Sequence, residues 1–137
     1  MTEKEIYIEI AERFIQSCQG HLDNGLNIQE VIGFKTYHAF ESIGGAVNCH
    51  LGFNVPRVHE KKLTSFVTNY RNNTFASVNP ATLATLAILL NSMRNKYLYP
   101  EKIPTGHKSP KDQISLTQAR QLTRQINGLI RRLKSGM

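Results

Sequence analysis

Residues 80–100, PATLATLAILLNSMRNKYLYP, constrain the fold of this chain more than any other stretch, because they predict one helix with a single apolar face. Asn79 is suited to cap this helix, Pro80 to its first turn and Pro100 to its end. A helix with one apolar face has to bury that face against other elements. Six residues share the face at helical spacing: Leu83, Leu86, Ala87, Leu90, Arg94 and Tyr97.

Arg94 is the one charged residue on this apolar face. A buried cation is costly unless it has a partner, so an arginine in such a position either extends to water from the helix end or belongs to a site. Asn95, Lys96 and Tyr99 follow it closely in sequence. The cluster is therefore the first candidate for a functional site.

Four other segments also show helical periodicity, and no segment alternates with a period of two for long. Thr2, Asn27 and Ser115 are the predicted N-caps of three of these helices. The sequence therefore predicts a single all-α domain, residues 1–137, folded as an antiparallel up-and-down bundle of about five helices. Besides residues 80–100, the predicted helices cover residues 2–21, 28–51, 58–70 and from 115 to near the C-terminus.

The sequence leaves two features of this bundle undecided, the role of its central glycine pair and the nature of residues 101–113. Gly44 and Gly45 lie in the middle of the second helix, where each glycine costs about 1 kcal/mol relative to alanine. Close packing of another helix is the favoured reason, within the domain or across a dimer interface, and a kink is the alternative. Residues 101–113, EKIPTGHKSPKDQ, predict a polar loop that is either a flexible basic flap or an ordinary mobile connection.

The charge of the chain is uneven. Residues 1–60 hold four Lys or Arg against eight Asp or Glu, a net of −4, whereas residues 61–137 hold thirteen against two, a net of +11. A basic half of this kind attracts RNA, DNA or nucleotides, although an acidic protein partner or a simply solvated face remains open. No apolar run is long enough to cross a bilayer and no signal peptide is evident, so a cytoplasmic location without membrane contact is expected.

Several kinds of site are not favoured by the sequence. Cys18 and Cys49 lie in helical patterns without metal-ligand spacing, so we expect buried free thiols and neither a metal site nor a cofactor. Carboxylates are scarce after Glu60, which argues against a two-carboxylate hydrolase in the basic half. Metal-free RNA cleavage, by contrast, needs a cation and a proton-transfer group. Arg94 suits the first role, and His59 or His107 is a candidate for the second.

Three stretches of the chain resemble the HEPN family, the small all-helical domains named for higher eukaryotes and prokaryotes nucleotide-binding. They are YHAFESIGGAVNCHLGFNVPRVH at 37–59, MRNKYLYPE at 93–101, and the amphipathic helix after Ile114. The resemblance implies a helical bundle that dimerises, with nucleotide or RNA as ligand and a minimal nucleotidyltransferase as a partner in toxin–antitoxin or defence systems. Active ribonucleases of this family carry an arginine, a polar residue and, a few residues later, a histidine. Arg94 and Asn95 match the start of that motif, but Tyr99 stands where the histidine is expected.

Three functional hypotheses follow. The first is a non-catalytic nucleotide- or RNA-binding homodimer, or a partner of a nucleotidyltransferase. The second is a metal-independent ribonuclease that uses Arg94 and Asn95 with a displaced histidine, His107 or His59. The third is a plain helical interaction module in which Arg94 forms a structural ion pair, for example with Glu41. The residues expected to bind a nucleotide or another anion in the first hypothesis are Arg94, Asn95, Lys96, Tyr99, Lys102 and Lys108.

Overall fold

Five packed helices and a small hairpin make up the computed structural model, which describes residues 1–137 and is 72% helical. The predicted all-α five-helix bundle is therefore confirmed. The helices are α1 (Glu3–Asp23), α2 (Gln29–His50), α3 (His59–Asn72), α4 (Pro80–Leu98) and α5 (Leu116–Ser135). Between α4 and α5 lie the strands β1 (Glu101–Ile103) and β2 (Gly106–Lys108) and a single 3₁₀ turn (Pro110–Asp112).

Side-chain caps fix the starts of three helices where the sequence predicted them. The Thr2 hydroxyl accepts a hydrogen bond from the Glu5 N–H at 3.2 Å, and the Glu5 carboxylate accepts one from the Thr2 N–H at 2.6 Å. Ser115 and Gln118 form the same reciprocal pair at the start of α5. The Asn79 side chain accepts from the Ala81 N–H at 2.8 Å and begins α4. These bonds satisfy backbone donors that have no partner inside the helix.

The start of α2 differs from the prediction. Ile28 stands at the N-cap, and no side chain caps the first turn, so the assignment of Asn27 as the cap is wrong. The helix is held instead by burial, because thirteen of its twenty-two residues are buried. It lies at the centre of the bundle and contacts all four other helices. Packing therefore compensates for the missing cap.

The two central glycines of α2 serve close packing. The helix runs through Gly44 and Gly45 without a break. A Cβ atom on Gly44 would meet the Phe66 ring of α3, 2.7 Å from Cγ, and one on Gly45 would lie 2.9 Å from a ring carbon of Tyr7 in α1. Both distances are shorter than real Cβ contacts. The absence of side chains thus lets α1 and α3 approach α2.

Part of the predicted polar loop is a β-hairpin. Residues Glu101, Lys102 and Ile103 pair with Lys108, His107 and Gly106, respectively, in an antiparallel ladder. Gly106 has a φ of 143°, a backbone conformation that favours glycine and lets the chain reverse. Strands of three residues are too short to show a period of two, so the sequence pattern could not reveal them.

Neither cysteine forms a disulfide bond. Cys18 is buried and Cys49 half-buried, and both are free thiols, as expected. Burial raises the pKa of the Cys18 thiol to about 11, so this sulfur stays protonated at neutral pH.

None of the five helices combines the length and the apolar character that a membrane crossing would require.

Candidate functional site

Arg94 lies half-buried on the inward face of α4. Its neighbours on that face, Leu83, Ala87, Leu90 and Tyr97, are buried in the core. The guanidinium Cζ lies 5.7 Å from the centroid of the Tyr37 ring of α2, within reach of a cation–π interaction. The Nε atom is buried without a hydrogen-bond partner. Buried polar groups normally have partners, so this guanidinium nitrogen lacks the hydrogen-bond acceptor that such a group usually has.

Arg94 forms no ion pair with Glu41, so that part of the interaction-module hypothesis is wrong. The Glu41 carboxylate, 8% exposed, lies 2.7 Å from His59 Nδ1 and 3.3 Å from Lys62 Nζ. Both partners belong to α3, and they leave Arg94 without a carboxylate. The guanidinium thus keeps its charge available for another anion.

Two imidazoles, those of His38 and His59, lie beside the Tyr37 ring that Arg94 approaches, and the sequence identified the second of them. The ring centroids of His38 and His59 are 6.3 Å apart. His38 packs against Phe14 and Phe34 at 5.6 and 4.4 Å, whereas the side chain of His59 is 42% exposed. His38 was not predicted, because it lies within the broad apolar pattern of α2 and resembled a core position.

His107 lies elsewhere in the fold. It is exposed on β2 and pairs with Lys102 across the hairpin. No hydrogen bond or ring contact joins it to the cluster around Arg94. Of the two histidines considered from the sequence, His59 is therefore the one that lies within the cluster.

The pKa values of Glu41 and His38 are both lowered, in each case against an opposing effect. Burial would raise the pKa of Glu41, but the hydrogen bond from His59 and the charges of Lys62 and His59 outweigh it and lower that pKa. Burial also lowers the pKa of His38; the Glu41 charge opposes this, while the His59 and Arg94 charges add to it. At neutral pH we therefore expect an ionised Glu41 beside a neutral His38.

The Tyr37 hydroxyl is the second unpaired polar group of the cluster. The hydroxyl is buried and makes no well-formed hydrogen bond, although Glu41 lies close enough to affect it. Burial, together with the Glu41 charge, raises the pKa of Tyr37. This hydroxyl is therefore a neutral hydrogen-bond donor at physiological pH. The cluster formed by Tyr37, His38, Glu41, His59, Lys62 and Arg94 is called the Arg94 cluster below.

The other predicted binding residues are exposed and stand apart from the Arg94 cluster. Asn95 and Lys96 follow Arg94 on α4, but each helical step turns the side chain by about 100°, so they face solvent. Tyr99 ends the helix with 59% exposure, and its carbonyl accepts a hydrogen bond from Gln113 at 2.9 Å. Lys102 and Lys108 are exposed on opposite strands of the hairpin. No hydrogen bond or ion pair connects these five side chains to Arg94.

Of the larger grooves on the surface, two lie outside this cluster and a third shares Lys62 with it. Two have largely apolar walls and flank α4, one against α5 and the other against α3. The third, about 500 Å³ in volume, lies beside Lys62 and is mainly polar. The chain brings together no group of three or more His, Cys, Asp or Glu side chains that could hold a metal ion.

Comparison of the chain with models of protein families, with curated proteins and with solved structures finds no match in any of the three. His59 and Lys62 contact the one carboxylate, the Arg94 guanidinium lies over the neighbouring Tyr37 ring, and His38 packs against the same ring. Such an arrangement suits an anion with several oxygen acceptors, of which a phosphate group is the common biological case.

Proposed function

We propose that this protein binds a nucleotide or RNA through a phosphate group at the Arg94 cluster, without catalysing a reaction on it. The observation that carries the proposal is the half-buried Arg94 guanidinium, which has no carboxylate partner and one buried nitrogen without a hydrogen bond. A charged ligand with acceptor oxygens would satisfy both deficits. The resemblance to the HEPN family supports the same class of ligand.

The non-catalytic part of the proposal rests on Tyr99. This residue stands where the ribonuclease motif of the family has its histidine, and its phenol, with an ordinary pKa near 10, is a weak base at neutral pH. Its side chain is 59% exposed at the residue that ends α4. A proton-transfer group is thus missing from the expected position.

The biological partner is proposed from the resemblance alone. A minimal nucleotidyltransferase in a toxin–antitoxin or defence system is the partner that the resemblance implies. The exposed side chains of Asn95, Lys96, Tyr99, Lys102 and Lys108 would then serve as a docking surface beside the ligand, because they are accessible in the single chain. Co-purification with the product of an adjacent nucleotidyltransferase gene tests this; separate elution of the two proteins contradicts it.

We also propose a homodimer that uses the outward face of α4. Ile88 is 72% and Leu89 42% exposed, and residues 80–93 carry no charge. In a chain of net charge +7, an uncharged helix face that carries exposed apolar side chains is where two copies repel each other least. Light scattering should therefore give twice the mass of 15.5 kDa, and a single-chain mass at micromolar concentration argues against it.

Replacing Arg94 by Ala should weaken the binding of AMP or a short RNA by at least tenfold, because the main cationic donor to the phosphate is lost. Isothermal titration at two salt concentrations measures this effect, and the wild-type affinity should fall as salt rises. Arg94→Lys should restore part of the affinity, since it keeps the charge but loses the planar donor geometry. Arg131→Ala, which removes an exposed arginine of α5, is the matched control and should bind like the wild type.

The same variant separates the proposal from a plain interaction module. If Arg94→Ala lowers the melting temperature and leaves AMP and RNA binding unchanged, the arginine has only a structural role. A wild-type protein that binds neither probe at low salt would also overturn the proposal.

A metal-independent ribonuclease is the second candidate, favoured by the two imidazoles beside Tyr37, the residue whose ring Arg94 approaches. The carboxylate of Glu41 holds His59 through Nδ1 at 2.7 Å, which leaves Nε2 free to move a proton. His38 lies 6.3 Å away between ring centroids and is near enough to act on the other side of a phosphodiester. A 2′-hydroxyl would lose its proton to one imidazole and attack the phosphorus, and the leaving 5′-oxygen would take a proton from the other. Arg94 would stabilise the negative charge that develops on the phosphoryl oxygens.

Incubation of the protein with single-stranded and structured RNA in EDTA distinguishes the two candidates. Cleavage that leaves a 2′,3′-cyclic phosphate, and that is lost in both His59→Asn and Arg94→Ala, would support the ribonuclease. If His107→Asn abolished cleavage and His59→Asn did not, the displaced histidine would instead be His107. Intact RNA, with binding retained, favours the non-catalytic proposal.

A further inference from the structure

The polar groove lined by Lys62 is a cavity that adjoins the Arg94 cluster. It measures about 500 Å³ and lies between the start of α1, the segment that joins α2 to α3, and α3 itself. Volumes of about 300–1,000 Å³ are typical of small-molecule sites. Its walls are formed by Glu3, Tyr7, Phe53, Asn54, Val55, Pro56, Arg57 and Lys62.

Two cations line this cavity, and one of them connects it to the Arg94 cluster. Arg57 is exposed and takes part in none of the three ion pairs of the chain. Lys62 lines the cavity and at the same time lies 3.3 Å from the Glu41 carboxylate. The cavity and the Arg94 cluster therefore meet at Lys62.

Aromatic and amide side chains form other parts of the wall. Phe53 lies on the wall of the cavity and is 44% exposed, so its ring is accessible to a ligand. The ring of Tyr7 is fixed from behind by α2, because it packs directly on Gly45. An exposed aromatic ring suits stacking on a nucleic-acid base, and the Asn54 amide can both donate to and accept from a base edge.

The segment that carries these residues is anchored at its start. Gly52 has a φ of 83°, which is a left-handed conformation that ends α2, and the Phe53 N–H donates to the Asn48 carbonyl at 2.8 Å. Asn48 is buried in the core. The backbone at Phe53 is thus held before any ligand binds.

We propose that this cavity is a nucleotide-binding pocket, in which Arg57 and Lys62 bind the phosphate and Phe53 stacks on the base. The inference rests on the proposed function, because it takes the same class of ligand, and it adds the position of the nucleoside. Glu3 is the only carboxylate on the wall, and it would accept hydrogen bonds from ribose hydroxyls and not meet the phosphate. The ligand is a mononucleotide or the terminal nucleotide of a strand.

Titration of the full-length protein with AMP, adenosine and inorganic phosphate tests the pocket. Phe53→Ala should weaken AMP binding about tenfold, the order expected for a lost base–aromatic stack, and should leave inorganic phosphate binding unchanged. Arg57→Gln should weaken AMP and inorganic phosphate alike and leave the weak binding of adenosine unaffected. Arg131→Gln, which removes the same charge from the exposed face of α5, is the control. Circular dichroism should give the same melting temperature for all three variants, since their side chains are exposed or nearly so.

The outcomes separate this inference from the proposed function. If Arg94→Ala weakens AMP binding while Phe53→Ala and Arg57→Gln do not, the Arg94 site stands and the pocket is overturned. If Phe53→Ala and Arg57→Gln weaken binding and Arg94→Ala does not, the pocket stands and the role of Arg94 fails. Equal loss of AMP and phosphate binding in Phe53→Ala would refute the stacking role. Absence of AMP binding by the wild type would overturn both proposals.

Discussion

Replacing Gly44 by Ala should lower the free energy of unfolding by about 2 kcal/mol, even though alanine is the better helix former. The added Cβ would lie 2.7 Å from Phe66 Cγ and 3.1 Å from its Cβ, and the ring itself is fully buried against Phe40 at a centroid distance of 5.2 Å. Neither ring has free space to move into, so the helices α2 and α3 would have to separate. The overlap outweighs the gain in helix propensity of about 1 kcal/mol.

Gly20→Ala in α1 is the matched control, because it is the same substitution in a helix at a position where the added methyl group has free space. A Cβ at Gly20 would meet nothing within 4 Å. That variant should be stabilised by about 0.5–1 kcal/mol through helix propensity and a less flexible unfolded chain. Chemical denaturation measures both changes, and the expected signs are opposite.

A double-mutant cycle identifies the overlap with Phe66 as the cause. Phe66→Leu alone destabilises by loss of buried volume, but it also removes the ring edge that the new methyl group meets. The loss in Gly44→Ala/Phe66→Leu should therefore be smaller than the sum of the two single losses. Strict additivity, or a Gly44→Ala variant as stable as the wild type, would contradict the close-packing account.

The central glycines illustrate how far the sequence predicts this fold. Helical periodicity and the caps Thr2, Asn79 and Ser115 are local features, so they located the helices to within a few residues. The glycine pair predicted close packing without naming the partner, because Phe66 lies 22 positions after Gly44 in another helix. The Asn27 cap failed for a related reason, since burial of α2 holds its start without a side-chain cap.

The sequence likewise predicted only part of the candidate site, namely Arg94 and His59. Arg94 stood out because a cation on an apolar helical face violates a local rule. Its surroundings come from α2 and α3, 32 or more positions earlier in the chain, and no local spacing connects His38 or Lys62 to it. Glu41 was considered only as a partner of Arg94, whereas the fold pairs it with His59 and Lys62. Contacts between helices therefore decide which charges remain free.

Replacing Glu41 by Gln should destabilise the protein by about 2 kcal/mol at pH 7, the second large effect expected here. The substitution keeps the shape of the side chain but removes the single negative charge from a cluster that contains Lys62, His59 and Arg94. The loss is smaller than for a fully buried pair, because the side chains of His59 and Lys62 are 42% and 24% exposed and keep part of their hydration.

Glu12→Gln is the matched control for this charge loss. Glu12 pairs with Lys134 at 2.6 Å, but both side chains are exposed, 44% and 53%, respectively. An exposed pair of this kind contributes about 0.5 kcal/mol or less. Equal destabilisation by the two variants would mean that the partly buried ion pairs of Glu41 contribute no more to the free energy of unfolding than a surface ion pair does.

The pH dependence of the Glu41→Gln effect gives a further, independent test. The pKa of Glu41 is lowered in the folded protein, so its contribution is complete above its ordinary value of about 4.3 and is lost as the pH falls through the lowered folded value. Wild type and Glu41→Gln should therefore differ most near pH 7 and converge in acid. The Glu41 charge also opposes the lowering of the His38 pKa. An NMR titration should accordingly find a still lower His38 pKa in Glu41→Gln and an unchanged His38 pKa in Glu12→Gln. If the His38 pKa is unchanged in both variants, the Glu41 charge does not act on the Arg94 cluster.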